Sequence, residues 1–555
     1  MSDRTFATHQ IRRAVPAPTL WDFAALDTTA PVPARLPVPS AWELVPALHN
    51  YRGRAHYTTH IRCGGNIRLS FGGVSFRARV LLDGNEIARH YGAFTAFETV
   101  VRHLPDGEHT LTVEVDNRFG EDSALHVPND YYSYGGITRP VVIEQLPDVF
   151  VERVGITTKR AADGWTADIS ATIRNLADED ASADVTLTLA GQTFTQTAHI
   201  PADSTDIIRI PDAHYADVTA WTPDTPALYA LRAEIREGNQ VLDDLIDRVG
   251  FREISISGMD LLLNGEKLRL MGFNRHEEYG AFGCAVPLQA MAQDILMMKD
   301  MGCNCVRTCH YPNDPRFLDL CDEMGLLVWE EAHARGLQEE QMRNPNFMPQ
   351  TRQCVREMVA QHRNHPSIFI WGCLNECADN CDYGADCYRE VYALLHDLDA
   401  SRPMTAALLE RPGSRVYGDS DVVSVNIYPQ WYHNTPVAES LAQKLKEIRE
   451  HGGAGKPVII SEIGAGGIYG YHDPLGESKW SEERQCTILR DQVEAVLKNP
   501  ACSGVFLWQF ADCRVTEEWA MHRPKTHNNK GVVDEYRRPK MSYAVVKELF
   551  TKHRA

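Results

Sequence analysis

The sequence predicts a multidomain protein in which a β jelly roll and an immunoglobulin-like β-sandwich precede a (β/α)8 TIM barrel. The 555 residues are too many for one hydrophobic core and require about three or four domains. Short segments of alternating apolar and polar residues fill the chain as far as residue 253. From Ser255 onward, strand-like runs alternate with helical runs, as a parallel barrel requires.

The first predicted domain covers residues 1–147. Alternating segments separated by Asp-Gly turns are typical of a sandwich or jelly roll. These segments are 55–61, 66–71, 77–82 and 109–115. The second predicted domain covers residues 148–253 and alternates in the same way, and a domain of about a hundred residues fits an immunoglobulin-like sandwich. It contains no cysteine pair, so only the architecture is predicted.

The third predicted domain, residues 254–555, is a barrel of eight strands that alternate with helices. A TIM barrel typically needs about 250 residues, which this segment supplies. The strand-like runs begin with 267–273 and end with 504–510. The predicted helices are 288–301, 315–324, 351–363, 388–398, 438–450, 481–498 and 541–553.

The composition is that of a globular protein with an acidic surface. The hydrophobic fraction is 43%, the charged fraction is 24% and the formal net charge is −19. Binding to nucleic acid requires a basic face, so no nucleic-acid partner is expected. The N-terminal residues contain no apolar signal segment, and no run of about 18 apolar residues occurs. We therefore expect a cytoplasmic protein without a membrane partner.

Four of the 14 cysteines lie close together in the sequence, at Cys373, Cys377, Cys381 and Cys387. Their spacing differs from the CxxC pairs of zinc sites and from the usual iron–sulfur runs. We therefore expect free thiols in a reducing compartment, with no metal and no cofactor.

Two apolar runs end in glutamates. Ile368–Trp371 is apolar at every position and is followed by Asn375 and Glu376, and the run 457–461 is followed by Glu462. A run that is apolar on both faces predicts a buried parallel strand, and the C-terminal ends of such strands carry the chemistry of a barrel. Two carboxylates on two strand ends are what glycoside hydrolysis requires. Glu376 and Glu462 are therefore the candidate catalytic pair.

Polar and aromatic residues follow the other predicted barrel strands as well. A stable barrel does not need them, whereas a sugar pocket needs a ring of hydrogen-bonding groups and aromatic walls. The plainer explanation for any single residue is a solvated or ion-paired loop position. The set comprises Asn274, Arg275, His276, Arg307, His310, Glu330, Glu331, His333, Tyr428, Trp508, Gln509 and Asp512.

Six motifs together resemble glycoside hydrolase family 2, and the resemblance covers nearly the whole chain in the family's domain order. The motifs are Val249-Gly-Phe-Arg-Glu, Leu263-Asn-Gly-Glu-Lys, Met271-Gly-Phe-Asn-Arg-His-Glu, Val306-Arg-Thr-Cys-His-Tyr-Pro, Trp371-Gly-Cys-Leu-Asn-Glu and Ser461-Glu-Ile-Gly-Ala. The resemblance implies a retaining β-glycosidase in which Glu376 is the acid/base and Glu462 is the nucleophile that forms a covalent glycosyl-enzyme.

The resemblance also implies roles for residues beside the two acids. Asn375 would contact the 2-hydroxyl of the sugar, and Tyr428 would donate to Glu462 and help to keep that nucleophile ionised. His276, His310 and Trp508 match positions that line the sugar subsite of the family, although a packed strand-end residue is the plainer explanation for each.

The segment Asn528-Asn529-Lys530 resembles the Asn-x-Lys motif of the family's β-glucuronidases. The ammonium of Lys530 and the amide of Asn528 would hold the C6 carboxylate of a uronic acid through charge-assisted hydrogen bonds. A neutral sugar would leave a buried cation unpaired. The plainer explanation is an exposed turn. Asp130, in a segment that resembles the family's jelly-roll loop, would accept hydrogen bonds from the O3/O4 side of the sugar, and Tyr432 is a further wall candidate.

The chain departs from the common glucuronidase pattern after the third barrel strand, where Arg335 occurs and the connection to the next helix is short. A short connection implies an open entrance to the C-terminal end of the barrel. Arg335 would reach the sugar carboxylate or the axial O4 of a galacturonide, unless it is a surface residue. The sequence therefore leaves the configuration at C4 of the substrate open. A β-glucuronide is the first candidate substrate, and a β-galacturonide, or both sugars, is the second.

Two other functions fit parts of the sequence. One is a neutral-sugar enzyme of the same family, such as a β-galactosidase or β-mannosidase. The other is a carbohydrate-binding or scaffold protein on an inactive hydrolase frame, against which the presence of both carboxylates argues. Because members of the family commonly form dimers or tetramers, the resemblance also implies a homo-oligomer.

Overall fold

The computed structural model describes residues 4–554. Its N-terminal region is antiparallel β-structure, with eight strands in one sheet and a separate two-stranded pair. The pair joins Val74–Ser75 to Gly136–Ile137. The strands of the large sheet are Ala14–Pro16, Leu20–Ala25, Arg35–Pro37, Arg54–Phe71, Arg77–Leu82, Asn85–Tyr91, Phe97–Asp116 and Val141–Leu146.

Two long strands fold the large sheet around its own apolar core. Arg54–Phe71 and Phe97–Asp116 pair along most of their length, and their register shifts on both sides of Gly65. Such bulges bend a strand and increase its twist. The predicted segments 55–61 and 66–71 are therefore one continuous bent strand rather than two. Alternate residues of these strands point into a single hydrophobic cluster, as the alternating sequence predicts.

The second region is a sandwich of two antiparallel sheets that enclose a shared hydrophobic cluster. The three-stranded sheet consists of Val149–Ala161, Gly164–Asn175 and Thr205–Tyr215. The four-stranded sheet consists of Ala181–Leu189, Gln192–Ile200, Tyr229–Glu237 and Gln240–Val249.

The third region is a nearly closed barrel of parallel strands. Nine short strands form one sheet, and two of them, Met404–Thr405 and Ala407–Leu408, are halves of a fifth strand interrupted at Ala406. The first strand pairs with both the second and the eighth, and the two edges of the sheet are the halves of the fifth strand, so the barrel is closed except at that strand. The other barrel strands are Leu270–Arg275, Cys305–Thr308, Leu327–Glu331, Ile368–Gly372, Val423–Asn426, Val458–Ile463 and Gly504–Leu507.

Helices cover the outside of the barrel. The helix after the second strand shows why they form here: the Asp314 side chain accepts from the backbone N–H of Arg316, Pro315 opens the first turn, and Gly325 ends the helix at φ +70°. The helices are Leu288–Asp300, Pro315–Met324, Glu339–Met342, Phe347–His362, Asp382–Leu398, Val437–Ile448, Glu482–Lys498, Glu517–Ala520 and Met541–Arg554. No helix in residues 4–554 is long and apolar enough to cross a lipid bilayer.

The first barrel strand begins at Leu270, not at Lys267 as predicted. Glu266–Leu268 belongs instead to a small antiparallel sheet with Ile254–Ser257 and Asp260–Leu263. This sheet packs its apolar side against the N-terminal ends of the barrel strands, so it closes the barrel at the end opposite to the strand-end carboxylates.

A loop of the N-terminal region reaches the C-terminal end of the barrel. The side chain of Asn129 accepts from Arg335 at 2.6 Å, and its backbone carbonyl accepts from the Thr516 hydroxyl at 2.8 Å. The hydroxyl of Tyr131 lies 3.0 Å from Nε2 of His333. These contacts place Asp130, which is buried, beside the strand ends of the barrel.

Candidate active site

Glu376 and Glu462 lie at the C-terminal ends of the fourth and seventh barrel strands, and both are buried. Oε1 of Glu376 accepts from the Asn426 amide at 3.0 Å, and Oε2 lies 3.3 Å from the Arg335 guanidinium. Oε1 of Glu462 accepts from Arg307 at 2.8 Å, and Oε2 accepts from the Tyr428 hydroxyl at 2.7 Å. Each of the four carboxylate oxygens therefore has a partner that fixes its position.

The guanidinium of Arg307 organises the strand ends around Glu462. It donates two hydrogen bonds to Glu331, at 2.9 and 2.8 Å, one to Glu462 at 2.8 Å and one to Asn375 at 2.8 Å. A fifth hydrogen bond reaches Asn274 at 2.7 Å. A fully buried arginine with this many acceptors holds the neighbouring strands in a fixed relative position.

Burial and the neighbouring carboxylate of Glu376 raise the pKa of Glu462 to about 7, although Arg307 and Tyr428 act in the opposite direction. The expectation that Glu462 stays ionised therefore holds only above about pH 7. A retaining mechanism starts with one carboxyl group protonated and the other ionised.

Lys530 is buried, with 2% of its surface exposed, and its ammonium points at the side chain of Asn528, 3.4 Å away. Three rings surround it: Tyr432 at 5.2 Å, Tyr428 at 5.8 Å and Trp431 at 6.0 Å. Within residues 4–554, no carboxylate lies within ion-pair distance of this ammonium. A buried cation whose neighbours are an amide, the Tyr432 hydroxyl and aromatic faces, with no ion-paired carboxylate among the described residues, can accept an anionic ligand.

Asp130 lies among the cationic groups of the site. Arg523 donates to it at 3.0 Å, Arg335 lies 3.2 Å away and the Asn528 amide donates at 3.2 Å. Burial alone would raise the pKa of Asp130, but the two guanidiniums outweigh burial and hold this pKa below its usual range. Burial would likewise raise the pKa of Tyr432, yet Lys530 and Arg523 lower it. This side of the site is therefore electropositive.

Aromatic rings form the third side of the site. His310 stacks on Trp508 with ring centroids 5.1 Å apart, and His276 meets Trp508 edge to face at 5.4 Å. Tyr131 of the N-terminal loop stacks on His276 at 4.9 Å. Tyr432 is 55% exposed and lies at the mouth. The structure thus brings the two predicted catalytic glutamates and the ten predicted substrate-binding residues to one end of the barrel. The ten are Asp130, His276, His310, Arg335, Asn375, Tyr428, Tyr432, Trp508, Asn528 and Lys530.

Three residues of the site were missed as ligands or positioning groups. Arg307 was noted only as a strand-end residue, yet a charged side chain inside a buried strand is the signal that identifies it. Asn426 ends the sixth strand and carries the same signal. Arg523 lies in an irregular segment between Glu517–Ala520 and the two-residue strand His527–Asn528, where no periodic pattern points to it.

The four clustered cysteines are free thiols. Cys381 has a local role, because its sulfur accepts from the backbone N–H of Gly384 at the start of helix Asp382–Leu398. The groups of side chains in residues 4–554 whose geometry suits a metal ion involve other residues.

Comparison with known proteins identifies the family. The family model described as the TIM barrel domain of glycosyl hydrolases family 2 matches residues 254–554, more than half of the chain. The chain belongs to glycosyl hydrolases family 2. A second model of the same family matches residues 149–252. The resemblance stated from the sequence motifs and the predicted fold class are thereby confirmed.

Three proteins are similar to this family 2 chain in sequence, and for one of them a crystal structure can also be compared. The crystal structure of a family 2 β-galacturonidase from Eisenbergiella tayi bound to galacturonate is 46% identical, with a TM-score of 0.97 over 99% of each chain. A β-glucuronidase of Streptococcus agalactiae is 28% identical over 522 residues, which is 87% of this chain and 84% of that protein. A longer Formosa agariphila relative is 28% identical, and the match covers 87% of this chain and 62% of that protein.

Proposed function

We propose that this chain is a retaining, exo-acting β-uronidase that hydrolyses terminal β-D-galacturonides, β-D-glucuronides or both. The single observation that carries the proposal is the buried ammonium of Lys530, which faces Asn528 without a carboxylate partner in the described residues. The carboxylate of a hexuronic acid supplies the missing counter-charge, whereas a hydroxymethyl group does not.

The two acids divide the work. Glu462 attacks the anomeric carbon while Tyr428 and Arg307 hold its two oxygens, and Glu376 protonates the leaving glycosidic oxygen. Glu376 then removes a proton from the water that releases the sugar. Asn426 and Arg335 hold Glu376 in position through both steps. Asn375, fixed by Arg307, faces the 2-hydroxyl.

The remaining residues bind the sugar. Lys530 and Asn528 hold the C6 carboxylate, and His276, His310 and Trp508 form the wall against the ring. Tyr432 covers the carboxylate side. Asp130 and Arg335 sit on the O3/O4 side, where galacturonide and glucuronide differ.

We infer a preference for galacturonide at C4. A cation beside Asp130 favours a hydroxyl that projects out of the ring plane, because Arg335 then donates to that hydroxyl while Asp130 accepts from it. The 46% identity to a galacturonidase bound to galacturonate supports the same order of preference over relatives at 28% identity.

The experiment is a side-by-side measurement of kcat/KM on p-nitrophenyl β-D-galacturonide, β-D-glucuronide and β-D-galactoside. We expect both uronides to exceed the galactoside by about 100-fold or more, and galacturonide to exceed glucuronide. A galactoside that matches the uronides would replace the proposal with the neutral-sugar alternative. Sugar binding without product release would indicate the scaffold alternative.

We also propose the domain limits 147/148 and 253/254, a cytoplasmic location and a homo-oligomeric state. Fourteen free cysteines favour a reducing compartment. Light scattering of the purified protein tests the oligomeric state, and limited proteolysis tests the limits, because cleavage concentrates in exposed linkers.

A further inference from the structure

Two histidines of the proposed sugar wall and a neighbouring cysteine form a group of potential metal ligands at the aromatic side of the site. One ring nitrogen of His276, one of His310 and the sulfur of Cys309 lie within 4.8 Å of one another, and all three residues are buried. Two imidazoles and a thiolate are a donor set that borderline and soft cations prefer.

The hydrogen bonds of the two rings leave the same nitrogen available on each. Nδ1 of His276 lies 3.1 Å from the Tyr311 hydroxyl. Nδ1 of His310 lies 3.3 Å from a carboxylate oxygen of Glu331, to which it can donate, and 3.2 Å from the Arg307 guanidinium. Nε2 of each ring is buried and has no hydrogen-bond partner among the described residues. In metal-binding histidines, one ring nitrogen is hydrogen-bonded to an oxygen and the other nitrogen binds the metal.

The two imidazoles of the group are neutral, and the thiol is protonated. Burial lowers the pKa of His276 to about 3 and lowers that of His310 as well, so both rings are neutral at pH 7, as ligands must be. Burial raises the pKa of the Cys309 thiol well above its usual range, Glu462 and Glu331 add to this rise and Arg307 opposes it, so a bound cation must displace the thiol proton. Neighbouring carboxylates attract a divalent ion to this position.

We propose that His276, Cys309 and His310 bind a thiophilic divalent cation of the Zn²⁺ class, which occupies the sugar subsite reversibly. Binding forms one sulfur–metal bond and two nitrogen–metal bonds, and the proton of the Cys309 thiol leaves to solvent. A bound ion holds the two histidines away from their positions against the ring, so it excludes substrate. The exclusion of substrate rests on the proposed function, whereas the binding of the ion does not.

Cadmium binding tests the site without any activity measurement. Chelator-treated protein, kept reduced with a phosphine, is titrated with CdCl2 while the ultraviolet charge-transfer absorption of the cadmium–thiolate bond is recorded. We expect one equivalent to bind with a thiolate band, and Cys309→Ser to lose that band and to bind about tenfold or more weakly. Cys354→Ser, which removes a buried thiol on the helix Phe347–His362, is the matched control and retains the band.

Crystals grown with ZnCl2 provide the second measurement, which does not depend on a variant that folds. An anomalous-difference peak between the three side chains is expected. Equal cadmium bands in wild type and Cys309→Ser, or no anomalous peak at this position in Zn²⁺-soaked crystals, would overturn the proposal.

Inhibition tests the exclusion of substrate. Zn²⁺ should inhibit wild-type turnover of an aryl uronide competitively, and the inhibition constant of Cys309→Ser, measured against that variant's own basal turnover, should be about tenfold or more higher. If the cadmium band depends on Cys309 but Zn²⁺ inhibits both proteins equally, the ion binds there without excluding substrate. If neither protein turns over any uronide, the proposed function fails while the metal site stands on the absorption and anomalous data.

Discussion

The two charged halves of the site differ in how completely their groups are paired. On the carboxylate side, all four oxygens of Glu376 and Glu462 have partners among Asn426, Arg335, Arg307 and Tyr428. On the cationic side, Lys530 has the Asn528 amide oxygen at 3.4 Å and, among the described residues, no ion-paired carboxylate. The acids are therefore held in place before substrate arrives, whereas the lysine has no carboxylate of the described residues to balance its charge.

This difference separates chemistry from recognition. Preorganised acids reduce the reorganisation needed in the transition state and serve any β-glycoside of suitable shape. A buried, unpaired cation discriminates between ligands, because a neutral sugar leaves it uncompensated. Substitutions on the carboxylate side should therefore lower turnover of every substrate, and substitutions on the cationic side should change the order of substrates.

The largest effect is expected from Glu462→Gln, which removes the nucleophile but keeps its shape. Turnover of aryl β-galacturonide should fall about ten-thousand-fold or more, and by the same factor on glucuronide, because no covalent intermediate forms. Stopped and continuous aryl release assays measure the loss. Galacturonate binding by calorimetry is the control for folding. Residual turnover within tenfold of wild type would remove Glu462 from the nucleophile position.

A smaller and selective effect is expected from Lys530→Met, which keeps the length of the side chain and removes its charge. kcat/KM on uronides should fall about 100-fold, while kcat/KM on galactoside should stay constant or rise. Lys525→Met is the matched control, since Lys525 lies in the same C-terminal segment with its side chain 46% exposed. An equal loss on uronide and galactoside would assign Lys530 a purely structural role.

The smallest effect is a shift of the pH profile. Because burial and Glu376 raise the pKa of Glu462 to about 7, kcat/KM should fall about tenfold per pH unit below that value as the nucleophile becomes protonated. Glu376→Gln removes one of the two causes, so its acidic limb should move to lower pH. A dinitrophenyl uronide, whose leaving group departs without protonation, keeps this variant measurable. An unchanged limb in Glu376→Gln would show that the two acids are not coupled.

Most of the fold was predictable because the hydrophobic pattern changes at about Ser255. Before it, residues alternate as in antiparallel strands, and after it, strand-like runs alternate with helical runs. The run Ile368–Trp371 is apolar throughout, and it is a barrel strand with all residues buried. The bend at Gly65 was not predictable, because alternation on both sides of a bulge is the same for one strand or two. The assignment of Glu266–Leu268 to the sheet below the barrel was missed because residues 267–273 read as one continuous strand, and nothing in the sequence marks the break at Arg269.

The site was predictable where residues follow buried strands, as Glu376 and Glu462 do. Arg523 was not, because it reaches Asp130 from an irregular segment whose path depends on tertiary contacts. The pKa of Glu462 was also out of reach of the sequence, since burial and the orientation of a second carboxylate decide it.

The loop that carries Asp130 belongs to the N-terminal region, while both glutamates belong to the barrel. The two glutamates and the proposed C4-reading aspartate thus come from separate stretches of polypeptide, joined by Arg335, which contacts both Asp130 and Glu376. Grafting residues 129–134 between hexuronidases that share an arginine at this barrel position is therefore a route to engineered C4 preference.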